Sequence, residues 1–174
     1  VVAAIGLGLR SGADGGPVSI EVADVTHLLL APISRRRVLL RPVAQRIRSA
    51  MFALALPGAI VGQFVAREVE GSRASWAAAG ALFGAVVGAA FVSSAVLSHS
   101  LRLPRWGATV LAAALLGWQA AAAWATWNES DSAVRAGPAN LAGSLAFWGI
   151  RQRSIDLVAI AAVIAAVGAA LALG

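Results

Sequence analysis

The sequence predicts an all-α, polytopic helical membrane protein, and three observations point to this class. Hydrophobic residues make up 59% of the chain and charged residues 13%, whereas a soluble domain averages about 45–50% and about 25%. The apolar residues are gathered into four blocks close to the roughly 20 residues that a helix needs to cross a bilayer. The blocks are continuous rather than alternating and rich in Ala and Leu, which favours helices over strands. A water-soluble enzyme domain is therefore excluded as the default interpretation.

We expect four complete spanning helices and, because the chain begins at Val1 without Met or a basic leader, the end of a fifth. The predicted order is the end of a spanning helix at 1–9, a cytoplasmic basic segment with a coupling-type amphipathic helix at 10–49, spanning helices at 50–66, 74–98 and 106–127, an external link with an interfacial helix at 128–154, and a last spanning helix at 155–173.

The arginines predict the orientation. All fourteen basic residues are Arg, and the links on one side of the membrane hold eight of them, against five on the side that carries most of the loop acids. Loops rich in Arg remain cytoplasmic, so we expect the first side to be cytoplasmic in a plasma-membrane protein. A basic cluster beside spans is explained by orientation and anionic lipid headgroups, and we expect no nucleic-acid partner. The eight are Arg35, Arg36, Arg37, Arg41, Arg46, Arg48, Arg102 and Arg105.

The residues that usually carry catalysis are missing from the predicted spans. The chain has no Cys and only two His, His27 and His99, far apart in sequence, which argues against a metal site. No ionisable residue lies well inside a block, which argues against a proton-driven pump or a catalytic dyad. We therefore expect no enzyme, no catalytic residue and no cofactor in this chain, and an apolar lining suited to a hydrophobic or lipid-like substrate.

Glycines recur at four-residue spacing in two blocks. This spacing places them on one face of a helix, where close backbone approach supplies much of the attraction between helices in lipid. The pattern predicts a tight helix contact, either within the chain or between subunits. Pro57 interrupts the first block and predicts a kink. The glycines are Gly58 and Gly62 in the first block and Gly80, Gly84 and Gly88 in the second.

The basic segment contains the most informative stretch, which starts at Asp24. Val25, Leu28, Leu29 and Pro32 follow the i, i+3, i+4, i+7 pattern of an amphipathic helix. Ser34 can cap a second helix, on which Arg37, Arg41 and Arg48 fall on one stripe. From the residues alone, a helix at the lipid surface that anchors topology is one interpretation.

A resemblance adds a second interpretation. Leu28-Leu29-Leu30-Ala31-Pro32-Ile33-Ser34-Arg35 resembles the L-L-x-x-P-[IVL]-S-R signature of permease subunits of type-2-class ATP-binding-cassette exporters. In that family the signature lies in the cytoplasmic link that docks on the ATPase subunit. The resemblance implies an ATPase partner carrying ATP and Mg²⁺, a second permease subunit or half, and membrane lipid. It implies coupling to the ATPase through Asp24, His27, Leu29, Pro32, Arg35, Arg36 and Arg37.

Two functions follow from these observations. The favoured one is the membrane-spanning subunit of an ATP-driven exporter, with hydrolysis on a separate subunit because the chain has no G-x-x-x-x-G-K-[ST] loop. The alternative is a non-transporting accessory subunit that packs beside a larger membrane complex through its glycine face. The Arg-only, Ala-rich composition also resembles that of proteins from high-GC actinobacteria.

Overall fold

The computed structural model describes residues 1–15 and 35–128, the side chains of 35–40 and 126 excepted. Within these ranges the chain is all-helical and contains no strand, which confirms the predicted all-α class for this part. The predicted interfacial link beyond residue 128, the last spanning helix at 155–173 and the amphipathic helix at 24–32 lie outside the described residues. The helices are α1 (Val2–Ala13), α2 (Arg35–Val65), α3 (Arg73–Ser100) and α4 (Arg105–Trp127).

Three of these helices are long and apolar enough to cross a membrane. They are the Arg41–Val65 part of α2, the whole of α3, and the Arg105–Ala125 part of α4. At about 1.5 Å per residue, the 28 residues of α3 extend for about 42 Å, more than the roughly 30 Å of a hydrocarbon core. These helices support the assignment to the membrane-protein class.

α2 is one continuous helix of 31 residues. The sequence suggested a basic helix followed by a separate span from residue 50, but the structure joins the two without a break. Pro42 and Pro57 both lie inside this helix, and proline removes one backbone hydrogen bond without preventing the helix from continuing. The basic residues therefore belong to the same continuous helix as the apolar ones.

α3 is the central helix of the described bundle, with α2 on one side and α1 on the other. Gly58 of α2 meets Gly80 of α3, and Ala50 meets Gly88. Because the numbers rise along one helix as they fall along the other, α2 and α3 are antiparallel. Their contact is completed by a small cluster of buried side chains, namely Val43, Ile47, Ala89 and Val92.

α1 packs on the other side of α3 and also against α4. Gly8 meets Phe91 and Gly12 meets Ala95, so the numbers rise together and α1 runs parallel to α3. The helix continues to Ala13, one turn past the predicted boundary at Leu9. Glycine at position 12 lets this extra turn lie directly against the backbone of α3.

The link between α2 and α3 is organised by Trp76. Ser72 caps α3, its hydroxyl oxygen accepting the N–H of Ser75 at 3.1 Å. The indole N–H of Trp76 donates to the carbonyl oxygen of Glu70 at 3.3 Å. From its place at the start of an apolar block, Trp76 is expected to anchor in the lipid headgroup layer. That expectation is wrong, because the side chain is only 4% exposed and packs inside the protein. Gly71, at a φ of +135°, lets the chain turn around the indole.

Candidate functional site at the basic end of the helices

The helix directions bring the arginine-rich segments to one end of the bundle. α1 and α3 finish at this end, and α2 and α4 begin there. Among the described residues Asp14 is the one acid here, whereas the opposite end carries Arg67 and Arg73 with Glu68 and Glu70. We call this surface the basic end. It is defined by the exposed side chains of Arg10, Arg41, Arg46, Arg48, Arg102 and Arg105.

Asp14 is paired within the basic end. Its carboxylate lies 2.5 Å from Nε of Arg105, which joins the end of α1 to the start of α4. Both side chains are substantially exposed, so the pair contributes at most about 1 kcal/mol to stability in water. The pair leaves the other described arginines of the basic end without a carboxylate partner among the described residues.

The turn between α3 and α4 forms a Schellman motif with arginine in the position usually taken by glycine. The N–H of Arg102 donates to the carbonyl oxygen of His99, and the N–H of Leu103 donates to that of Ser98. Arg102 has a φ of 50°, which costs a side-chain-bearing residue roughly 1–2 kcal/mol. Pro104 follows and starts α4. The turn thus holds a charged side chain at the basic end in a strained backbone conformation.

The residues expected to couple to a partner lie mostly beyond the described ranges. Asp24, His27, Leu29 and Pro32 are outside them. Arg35, Arg36 and Arg37 form the first turn of α2, described for the backbone alone. The signature therefore leads directly into the long helix.

The structure brings the five singled-out glycines together within the chain. Added Cβ atoms on Gly58 and Gly80 would each collide with the other's carbonyl oxygen, and one on Gly62 with the carbonyl oxygen of Trp76. One on Gly84 would collide with Leu54 and one on Gly88 with Ala50. We call this contact the first glycine seam, formed by Gly58, Gly62, Gly80, Gly84 and Gly88. The alternative function required the glycine face of α3 to pack against another subunit, but α2 of the same chain covers that face.

A second glycine seam, between α1 and α3, was not singled out in the sequence. A Cβ on Gly8 would collide with the Phe91 carbonyl oxygen and the Ser94 hydroxyl, and one on Gly12 with the Ala95 carbonyl oxygen. The signal was present as the same four-residue spacing. It lay in a short terminal block that was not expected to form a helix past residue 9.

Small polar side chains of α3 lie buried near the basic end. Ser94 donates its hydroxyl to the carbonyl oxygen of Phe91 at 2.9 Å. The Ser93 and Ser98 hydroxyl oxygens are buried and make no hydrogen bond in the structure. Ser98 is fully buried, at 0% exposure. These side chains are small enough to keep α3 close to its neighbours, at the expense of two unsatisfied hydroxyls.

Tryptophans mark both ends of α4. Trp106 is 73% exposed and Trp127 is 88% exposed. They lie 21 residues apart, about 32 Å along the helix, which matches the distance between the interfaces of a bilayer where indoles concentrate. Trp118 and Trp124 lie inside the same apolar helix and could face lipid or a neighbouring helix; both are exposed in the described part of the chain.

The described residues contain no group of three or more His, Cys, Asp or Glu side chains able to hold a metal ion. No protein family, no curated protein and no solved structure matches this chain.

Proposed function

We propose that the chain is a membrane-spanning subunit of an ATP-driven exporter in the plasma membrane. A separate ATPase subunit would bind ATP and Mg²⁺ and dock on the cytoplasmic segment from Asp24 to Arg37. The exported substrate would be hydrophobic or lipid-like, since the surfaces available to it are apolar. A second permease subunit or half would complete the pathway.

The observation that carries this proposal is the continuity of α2. The helix begins at Arg35, the last residue of the signature, and runs unbroken to Val65 at the opposite end. A displacement at the signature would pass along one continuous helix rather than through a loop. The first glycine seam holds the Ala50–Gly62 part of that helix against α3 by backbone contacts, so this part of α2 and α3 would move together. Tilting of rigid helices is a common way to switch access across a membrane.

Co-purification tests the partner. The full chain, expressed with an ATPase encoded beside it, should retain that ATPase through purification. Replacing Pro32 and the arginines at 35–37 should abolish both retention and ATP-dependent export. A matched control removes Arg67 and Arg73 at the opposite end and should leave both intact. Unchanged assembly and export in the first variant would overturn the coupling role.

A second variant separates transmission from docking. Ala44 and Ser49 are exposed positions of α2, and glycine at each weakens the helix by up to about 1 kcal/mol. The double variant A44G/S49G should still bind the ATPase while transporting less substrate per ATP hydrolysed. If this variant transported as much substrate per ATP hydrolysed as the parent protein, α2 would not be the element that transmits movement from the ATPase.

The accessory-subunit alternative relied on the glycine face, which α2 covers within the same chain. An accessory role would need another surface. A neighbouring gene for a respiratory or secretion complex, in place of one for an ATPase, would favour that alternative.

A further inference from the structure

One exposed face of α2 changes from polar to apolar along its length. Steps of four, three, four and four residues keep its members on one side of the helix. The buried Val43 and Ile47 lie on the opposite side, against α3. We call this face the α2 outer stripe. It consists of Arg41, Gln45, Arg48, Phe52 and Leu56, all of them exposed.

The charges of this stripe have no carboxylate partner among the described residues. α2 contains no acidic residue, and the one described acid at the basic end, Asp14, pairs with Arg105. Neither Arg41 nor Arg48 makes an ion pair within the part of the chain that the structure describes. Within the described ranges, the stripe therefore carries two positive charges without a carboxylate partner, beside an apolar surface.

Arg48 also lies deep along the bundle. It precedes Ala50 by two residues, and Ala50 packs against Gly88 of α3. Gly88 is twelve residues from the end of α3 at Ser100, so Arg48 lies about 15 Å from the end of the bundle. One turn further on, Phe52 is 66% exposed. A guanidinium at this depth needs an anion, because charge at the edge of hydrocarbon is costly unless it is paired.

We propose that the α2 outer stripe binds one anionic phospholipid. Arg41 and Arg48 lie about 10 Å apart along the axis, and their long, flexible side chains extend toward a single phosphate between them. The Gln45 amide lies between them and donates to the same headgroup, while one acyl chain runs along Phe52 and Leu56. Arginine suits phosphate because its planar guanidinium donates two parallel hydrogen bonds. This site does not depend on the exporter proposal.

The test compares Arg48 with Arg46, which lies on the same helix between Arg41 and Arg48 in depth. Arg46 is a matched control because it is two positions from Arg48, and residues two positions apart do not share a helix face. Native mass spectrometry of the delipidated full chain, titrated with phosphatidylglycerol or phosphatidylcholine, measures the affinities. Phosphatidylglycerol should bind more tightly. Arg48→Gln should weaken its binding about fivefold and R41Q/R48Q about thirtyfold, the expectation for one and two lost charges near a lipid surface. Arg46→Gln should change it less than twofold.

Arg48→Lys keeps the charge and should stay within about threefold of the parent protein. Helical content by circular dichroism checks that each variant is folded. If Arg46→Gln and Arg48→Gln lowered the affinity for phosphatidylglycerol equally, the lipid would be held by diffuse electrostatic attraction, and the proposed site would be overturned. Equal binding of phosphatidylcholine, or full competition by soluble glycerol phosphate at the lipid's concentration, would overturn the assignment to an anionic lipid.

Discussion

Gly58 and Gly80 are reciprocal backbone neighbours: a Cβ atom on either residue would collide with the carbonyl oxygen of the other. The two helices therefore meet with no side chain between them at this level. In lipid, where apolar burial gives little net attraction, such contacts gain dispersion energy from many close atom pairs. Because of this close contact, any added side-chain volume at the glycines of the first glycine seam would push α2 and α3 apart.

We expect Gly80→Leu to destabilise the protein by about 1–3 kcal/mol or more, since overpacking forces the helices apart. Thermal unfolding in detergent measures the loss. Gly117→Ala on α4 is the control, because a Cβ at Gly117 meets nothing within 4 Å. That change should be neutral or stabilising by up to about 1 kcal/mol. Similar melting temperatures for the Gly80 variant and the parent protein would refute the seam.

Arg102→Gly should stabilise the turn between α3 and α4. It relieves the left-handed backbone at φ 50°, and this gain exceeds the added flexibility of the unfolded chain, giving a net increase of about 0.5–1 kcal/mol. Arg102→Val should have the opposite sign, because a β-branched residue tolerates this conformation poorly. Chemical denaturation measures the free energy of unfolding of both variants and of the parent protein. A Val variant as stable as the Gly variant would contradict the expected order.

Ser98→Ala should be neutral or stabilising by about 1 kcal/mol, because it removes a buried hydroxyl that makes no hydrogen bond. Ser94→Ala is the comparison, since that hydroxyl donates to the Phe91 carbonyl oxygen and its loss should give no gain. The free energy of unfolding of each variant decides the point. A clear loss of stability in Ser98→Ala would indicate that its hydroxyl has a partner in the membrane.

Single cysteines placed near the two ends of α3 should be accessible to reagents from opposite sides of the membrane. The chain has no Cys of its own, and Glu68 and Ser100 are exposed positions near the two ends. In intact cells, Glu68→Cys should react with a membrane-impermeant maleimide and Ser100→Cys should not. Labelling of both from outside would mean that α3 does not cross the membrane. The reverse pattern would invert the predicted orientation.

The features that could be predicted are those that depend on local sequence patterns. Continuous apolar runs set the helical class, and glycine spacing predicted the face that α3 presents to α2. Spacing alone could not say whether Gly58 and Gly80 meet within the chain, since the same face would suit a second subunit.

Other features depend on tertiary contacts. Trp76 has the position of an interfacial anchor, but the turn at Gly71 gives its indole N–H a backbone acceptor inside the protein. The extension of α1 to Ala13 depends on Gly12 meeting Ala95, a residue more than eighty positions away. The left-handed backbone at Arg102 is equally invisible in a sequence without glycine there. In each case a distant or strained contact outweighs local propensity.

The central place of α3 has a consequence for how the sequence can vary. It packs against α2 from Gly80 to Val92 and against α1 around Phe91–Ala95, so few positions on its inner faces can accept a larger residue. Saturation mutagenesis should therefore yield an uneven tolerance map. Substitutions to bulky side chains would be depleted along the inner faces of α3 and accepted on the outward surfaces of α2 and α4, where hydrophobic character matters more than shape.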